Sequence, residues 1–165
     1  VTSPTSPTSP TPSTTPNPDR PSDAAAAALF DAVGAEHAAI YGYGIVSAHS
    51  SPDENDLVSQ AMAQHRERRE AAIAMLTGRS AKAPLAAAGY QLPIAVNNPT
   101  DAANLAVRME DDCAVAWRAM IEQATTEQDR AFGVTALTES AVLAARWKQV
   151  LRTVPVTVAF PGGSE

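Results

Sequence analysis

Helix-start signatures cut this chain into segments of nearly equal length, and their spacing leaves few folds open. Ser51-Pro52-Asp53-Glu54 places a hydroxyl at the cap, proline at the first helical position and an acid three residues after the cap. Asn98-Pro99-Thr100-Asp101 repeats that arrangement, and Thr126 precedes Glu127 and Asp129. Ser22 is a fourth cap, opening an alanine-rich run. The predicted helices span about Asp23–Ala48, Ser51–Thr77, Asn98–Ala124 and Thr126–Arg152, with Gly78 as the C′ residue of the second and Pro155 stopping the fourth. Each is roughly 26 residues, or ~39 Å at ~1.5 Å per residue. The first two helices, and the last two, are joined by a few residues and form antiparallel hairpins. The middle connection, 79–98, holds Pro84, Pro93 and Asn97-Asn98. Fully extended it reaches ~65 Å, long enough to run the whole length of the helices. Short, long, short predicts an all-α four-helix bundle with one long crossover between the second and third helices, covering residues 23–152.

The flanks differ in composition. Residues 1–22 read VTSPTSPTSPTPSTTPNPDRPS and hold seven of the 13 prolines. With almost no apolar side chain, such a segment cannot offset its chain entropy, and it is expected to be a disordered Pro/Ser/Thr-rich tail. It lacks the basic start and apolar core of a signal peptide. Any protein partner of this tail is unknown. Residues 153–165 are expected to form a short C-terminal tail. Acidic residues number 18 and basic residues 12, a net charge of −6. That balance disfavours nucleic acid and anionic membranes as partners. No apolar run reaches the ~18 residues of a membrane span. The single cysteine, Cys113, rules out an intrachain disulfide, and with the missing signal it points to the cytoplasm.

Each predicted helix carries an apolar stripe at helical spacing: Leu29, Val33, Ile40 and Gly44; Val58, Met62, Ala72, Ile73 and Leu76; Ala103, Ala106, Cys113, Trp117 and Ile121; Phe132, Ala136, Leu143 and Val150. Each stripe is interrupted near its midpoint by a polar residue: Glu36, His65, Glu110 and Glu139. In helices of equal length, mid-height positions meet whichever way each helix runs. Three carboxylates and one imidazole are therefore predicted to share one layer of the core. Uncompensated, such carboxylates cost several kcal/mol each and repel one another. Two solutions are open: an Fe, Mn or Zn ion, which suits Glu oxygens and a His nitrogen, or ion pairs to Arg69 and Arg146 with no metal at all.

The order Glu, His, Glu, Glu resembles the ferritin-like di-iron pattern, with Glu on the first and third helices and Glu-x-x-His on the second and fourth. Here the second reads Met62-Ala63-Gln64-His65 and the fourth Glu139-Ser140-Ala141-Val142, so one Glu and one His of the pattern are missing. The segments AEHAAIYGYG (35–44), HRERREAA (65–72), NLAVRMEDD (104–112) and TESAVLAARW (138–147) resemble a small actinobacterial ferritin-like family of unknown function. The resemblance implies a ferritin-like bundle but no activity; the missing Glu and His argue against an intact di-iron centre, and the expected role is a structural or interaction module. The alternative is a mononuclear metal protein with metal-handling or oxidase-like activity at Glu36, His65, Glu110 and Glu139.

Around that layer, Cys113 lies one turn from Glu110 and offers a thiolate, and Tyr43 lies on the Glu36 face and offers a hydrogen bond. His37 points about 100° away from Glu36 and suits an interface or a supporting role. Arg69 is the arginine of the 66–70 charge run expected to turn inward, and Arg146 lies two turns beyond Glu139. Trp117 and Trp147 read as core packing. Gly34, Gly42 and Gly44 suggest close packing of the first helix on a neighbour. A homodimer is the default assembly.

Overall fold

The computed structural model describes residues 17–163. Residues 1–16, most of the expected tail, and residues 164–165 lie outside them. Four α-helices are present: α1 Ala24–His49, α2 Asn55–Gly78, α3 Pro99–Gln123 and α4 Glu127–Val150. Among the described residues there is no strand, and no helix is long and apolar enough to cross a membrane.

The capping chemistry explains the starts. Asp23, rather than Ser22, caps α1 by accepting from the Ala26 amide at 2.9 Å. Pro52–Glu54 form a 3₁₀ turn leading into α2, and the Ser51 amide donates to Glu54 Oε2 at 2.7 Å. Asn98 accepts from the Asp101 amide at 2.9 Å, and Thr126 from the Asp129 amide at 3.1 Å. The two stops differ from expectation. Gly78 is the last residue of α2, and Ser80 takes the left-handed conformation (φ 56°) while the Ala81 amide donates to the Leu76 carbonyl. Arg152 (φ 55°) ends α4 the same way, with the Thr153 amide on the Lys148 carbonyl, so the turn there precedes Pro155.

α1 packs against α2 and α3, and α3 against α4. Side chains join α2 to α4: Arg146 to Gln60, Arg68 to Ser140 and Arg79 to Asp129. These pairs descend one helix as they climb the other, so α2 and α4 are antiparallel. Two apolar clusters form the core. The first gathers Leu29 and Val33 of α1, Leu76 of α2, Trp117 and Met120 of α3 and Ala136 of α4. The second gathers Tyr43 and Val46, Leu57 and Val58, Leu105 and Ala106, and Leu143 and Trp147. Along the chain α1 passes from the first cluster to the second, α2 and α3 from the second to the first, and α4 from the first to the second. The 79–98 segment packs Ala81 and Ala83 on the first cluster, and Leu92, Ile94 and Val96 on the second.

Three sequence expectations need correcting. Residues 17–22 are not loose: the Arg20 amide donates to the Asn17 carbonyl, and the Arg20 side chain forms a two-pronged pair with Asp31 of α1 (2.8 and 2.6 Å). Close packing holds only for Gly42, where a side chain would collide with Met109; a Cβ at Gly34 or Gly44 meets nothing within 4 Å. The stripe members Gly44 and Val150 are exposed, while Ile40, Met62, Ile73, Ile121 and Phe132 are half-buried at the edges of the core.

Candidate functional site

The inward-facing positions follow a three-and-four alternation on every helix: 29, 33, 36, 43 on α1; 61, 65, 68, 72 on α2; 106, 110, 113, 117 on α3; 136, 140, 143, 147 on α4. Between the two apolar clusters this register turns Glu36, His65, Arg68, Glu110 and Ser140 into the core, and all five are buried.

His65 sits at the centre. Its Nδ1 lies 2.6 Å from Glu36 Oε2 and its Nε2 3.0 Å from Glu110 Oε1. Two ring nitrogens facing two carboxylates make an imidazolium that donates to both. Burial lowers the pKa of His65, but the hydrogen bonds to Glu110 and Glu36, aided by both charges, outweigh it and raise the value to about 9. Burial likewise pushes the Glu36 carboxyl up, and the bond and charge of His65, then Arg68 and Trp117, bring it below the ordinary carboxylate value.

Arg68 supplies the second buried cation. Its Nε donates to Glu36 Oε1 at 3.1 Å, Nη1 to Glu139 Oε2 at 3.1 Å and Nη2 to Ser140 Oγ at 3.3 Å. Nη2 also lies 2.9 Å from His65 Nδ1, so two N–H groups flank Glu36 Oε2 rather than bond each other. With Glu36 and Glu110 ionised and His65 and Arg68 charged, the four buried charges cancel.

Three aromatic side chains complete the network. The Trp117 indole donates to Glu36 Oε1 at 2.7 Å. The Tyr43 hydroxyl donates to Glu110 Oε1 at 2.5 Å and accepts from the Trp147 indole at 2.9 Å. Burial, and then the Glu110 charge, push the Tyr43 hydroxyl well above its ordinary pKa, so it stays a neutral donor. Burial and the charges of Glu36 and Glu110 do the same to the Cys113 thiol, whose weak contact is the Ala35 carbonyl at 3.9 Å. Glu110 Oε2 is buried without a partner.

Four of the residues singled out in the sequence therefore lie together: Glu36, His65, Glu110 and Tyr43, with Cys113 beside them. The others do not join them. Glu139 is half-buried, its side chain 34% exposed, and it meets only the outer end of Arg68. Ser140 takes the inward position one residue on. Arg69 pairs with its neighbour Glu70 outside the core. The inner line of α2 runs 61, 65, 68, 72, so Arg68 turns inward and Arg69 falls on the flank. Arg146 shares the flank of Glu139 and reaches Gln60. His37 faces away from the layer and its Nε2–H donates to the Pro84 carbonyl at 3.1 Å, pinning the 79–98 segment to α1. Trp117 and Trp147 are more than core packing, since both indoles donate into the layer. Their signal was present in the sequence: each lies seven residues beyond an inward polar position, Glu110 and Ser140.

The donor set does not fit a pair of metal ions. Met62 and Val142 stand at two ligand positions of the di-iron pattern, and Val142 is 53% exposed. A guanidinium lies among the remaining carboxylates. A single cation has a smaller set available, since Glu36, His65 and Cys113 offer one donor atom each within 4.8 Å of one another.

The family model described as Domain of unknown function (DUF4439) matches residues 28–165. The crystal structure of a conserved hypothetical protein from Mycobacterium tuberculosis is similar, with 59% identity and a TM-score of 0.77 over 79% of this chain and 98% of that one. No curated protein matches the sequence.

Proposed function

The chain belongs to the DUF4439 family, and from that premise we propose that it is a ferritin-like four-helix bundle whose central layer is neutralised by Arg68 and a proton on His65 instead of iron. It acts as a structural or interaction module, not as a di-iron oxidase. The observation that carries this reading is the reach of Arg68 to Glu36, Glu139 and Ser140, which puts a covalently fixed organic cation on the carboxylates that a di-iron centre would need as metal ligands. The path of residues 79–98 from one apolar cluster to the other supports a single long crossover. A self-complementary homodimer is the expected assembly, and sedimentation tests it.

The orphaned Glu110 Oε2 and the trio Glu36, His65 and Cys113 favour a second reading, a single Fe, Mn or Zn ion. Elemental analysis of protein purified without chelator separates the two. The first reading expects no stoichiometric metal and no change in thermal midpoint on adding Fe(II), Mn(II) or Zn(II), because a tight native-state ligand must raise stability. One equivalent of metal in the wild type, lost in Glu110→Ala, would establish the second.

A further inference from the structure

The chain beyond α4 turns back over the helices. Val156, Thr157, Val158 and Pro161 arch across the outer groove between α3 and α4. Gly162 fastens the arch: its φ is +72°, and a side chain there would strike the Ala114 carbonyl of α3. Beneath the arch lies a cavity of about 420 Å³, with Ala114, Leu137, Ala141 and Ala144 among its apolar walls. That volume falls in the range of about 300–1,000 Å³ typical of small-molecule sites. It lies on the outer side of α4, away from Ser140, Leu143 and Trp147, and so is separate from the buried layer.

One wall is cationic. The Lys148 side chain is only 14% exposed, and its nearest carboxylate oxygen, Asp111 Oδ1, is 3.9 Å away. Among the described residues the ammonium makes no hydrogen bond and pairs with Asp111 only at ion-pair distance, so its three donors stay available to solvent or to a ligand. Arg146, on the same wall, is engaged by Gln60. Arg146, Lys148 and Asp111 give the lining a charge of 2 − 1 = +1, in a chain whose net charge is −6. A partly open apolar cavity with an ammonium on its wall that no protein group hydrogen-bonds suits a ligand with an aliphatic body and one negative head.

We propose that this cavity binds an amphipathic carboxylate of medium chain length, its chain lying along the alanine floor and its carboxylate paired with Lys148.

Decanoate, titrated calorimetrically into the full chain below its critical micelle concentration, tests this. Saturable binding of one equivalent is expected. Lys148→Met should weaken decanoate at least tenfold and leave 1-decanol unchanged, while Ala141→Phe, which fills the floor, should abolish binding of both. Far-UV circular dichroism establishes that each variant is folded. Should Ala141→Phe fail to fold, Gly162→Ala, which loosens the arch, should show the loss instead. The proposal is overturned if decanoate binding does not saturate, if Lys148→Met binds decanoate like the wild type, or if decyltrimethylammonium binds as well as decanoate.

Discussion

Arg68 Nε donates to Glu36 Oε1 at 3.1 Å while the two terminal nitrogens of the same guanidinium reach Glu139 and Ser140 on another helix. One side chain of α2 thus ties α1 to α4 through the middle of the core. Elsewhere α2 and α4 are bridged by the outer pairs Arg146–Gln60 and Arg79–Asp129. Burial of Arg68 lowers its pKa, yet the Glu36 charge, together with the Glu110 charge and the hydrogen bond to Glu139 among its neighbours, more than restores it, so the guanidinium stays charged where it is buried.

Removing that cation leaves a buried carboxylate without its compensating charge. Arg68→Met is expected to destabilise the fold by about 3–5 kcal/mol. The neighbouring Arg69→Met, which breaks only a surface pair with Glu70, should change stability by less than about 0.5 kcal/mol. Urea unfolding of the two variants measures the contrast, and equal effects would refute the placement of Arg68.

Stability should depend on pH with a defined sign. The pKa of His65 is raised on folding, from 6.5 to about 9, so its contribution is fully present below pH ~6.5 and is lost as pH rises through about 9. A shift of that size corresponds to about 3 kcal/mol. Glu36 is lowered on folding from an ordinary value of 4.5, so its contribution is present above that pH and is lost as pH falls. Urea midpoints measured from pH 4 to 10 should therefore form a plateau between about 4.5 and 6.5 and decline toward pH 9. His65→Gln should remove the alkaline decline. Stability that climbs between pH 7 and 9 would contradict the imidazolium.

The tryptophans should report on the layer. Trp117→Phe keeps the ring packed on Phe132 but removes the donor to Glu36, at an expected cost of about 1–3 kcal/mol. Trp147→Phe leaves Tyr43 still donating to Glu110 and removes a bond only to its hydroxyl oxygen, so the loss should be nearer 1 kcal/mol. Chemical denaturation followed by circular dichroism tests the order.

Backbone substitutions should split by what surrounds them. Gly34→Ala, with open space around it in mid-helix, should stabilise by about 0.5–1 kcal/mol. Gly133→Ala should destabilise, because its Cβ would lie 2.6 Å from Ile121 Cγ1 and 3.0 Å from Met120 Sδ. Ser80→Gly should stabilise by about 1 kcal/mol by relieving a left-handed residue at the end of α2. Thermal midpoints of the three variants give the signs.

The starts of α2, α3 and α4 were legible because capping is a local contract: Ser51 with Glu54, Asn98 with Asp101 and Thr126 with Asp129 lie within four residues of each other, and the bonds they form need no other part of the chain. The depth of Glu36, His65 and Glu110 was legible for a related reason, since height along a helix is fixed by residue count alone. Rotation about the axis is different. One residue is about 100° of turn, so whether Arg68 or Arg69, Ser140 or Glu139, faces the centre depends on how neighbouring helices roll against one another. That roll is set by packing between side chains far apart in sequence, such as Arg68 with Ser140 and Trp117 with Glu36. Sequence alone determined the helices, their lengths and the height of the polar layer. Tertiary packing alone decided which side chains meet there, and so that an arginine stands among the acids.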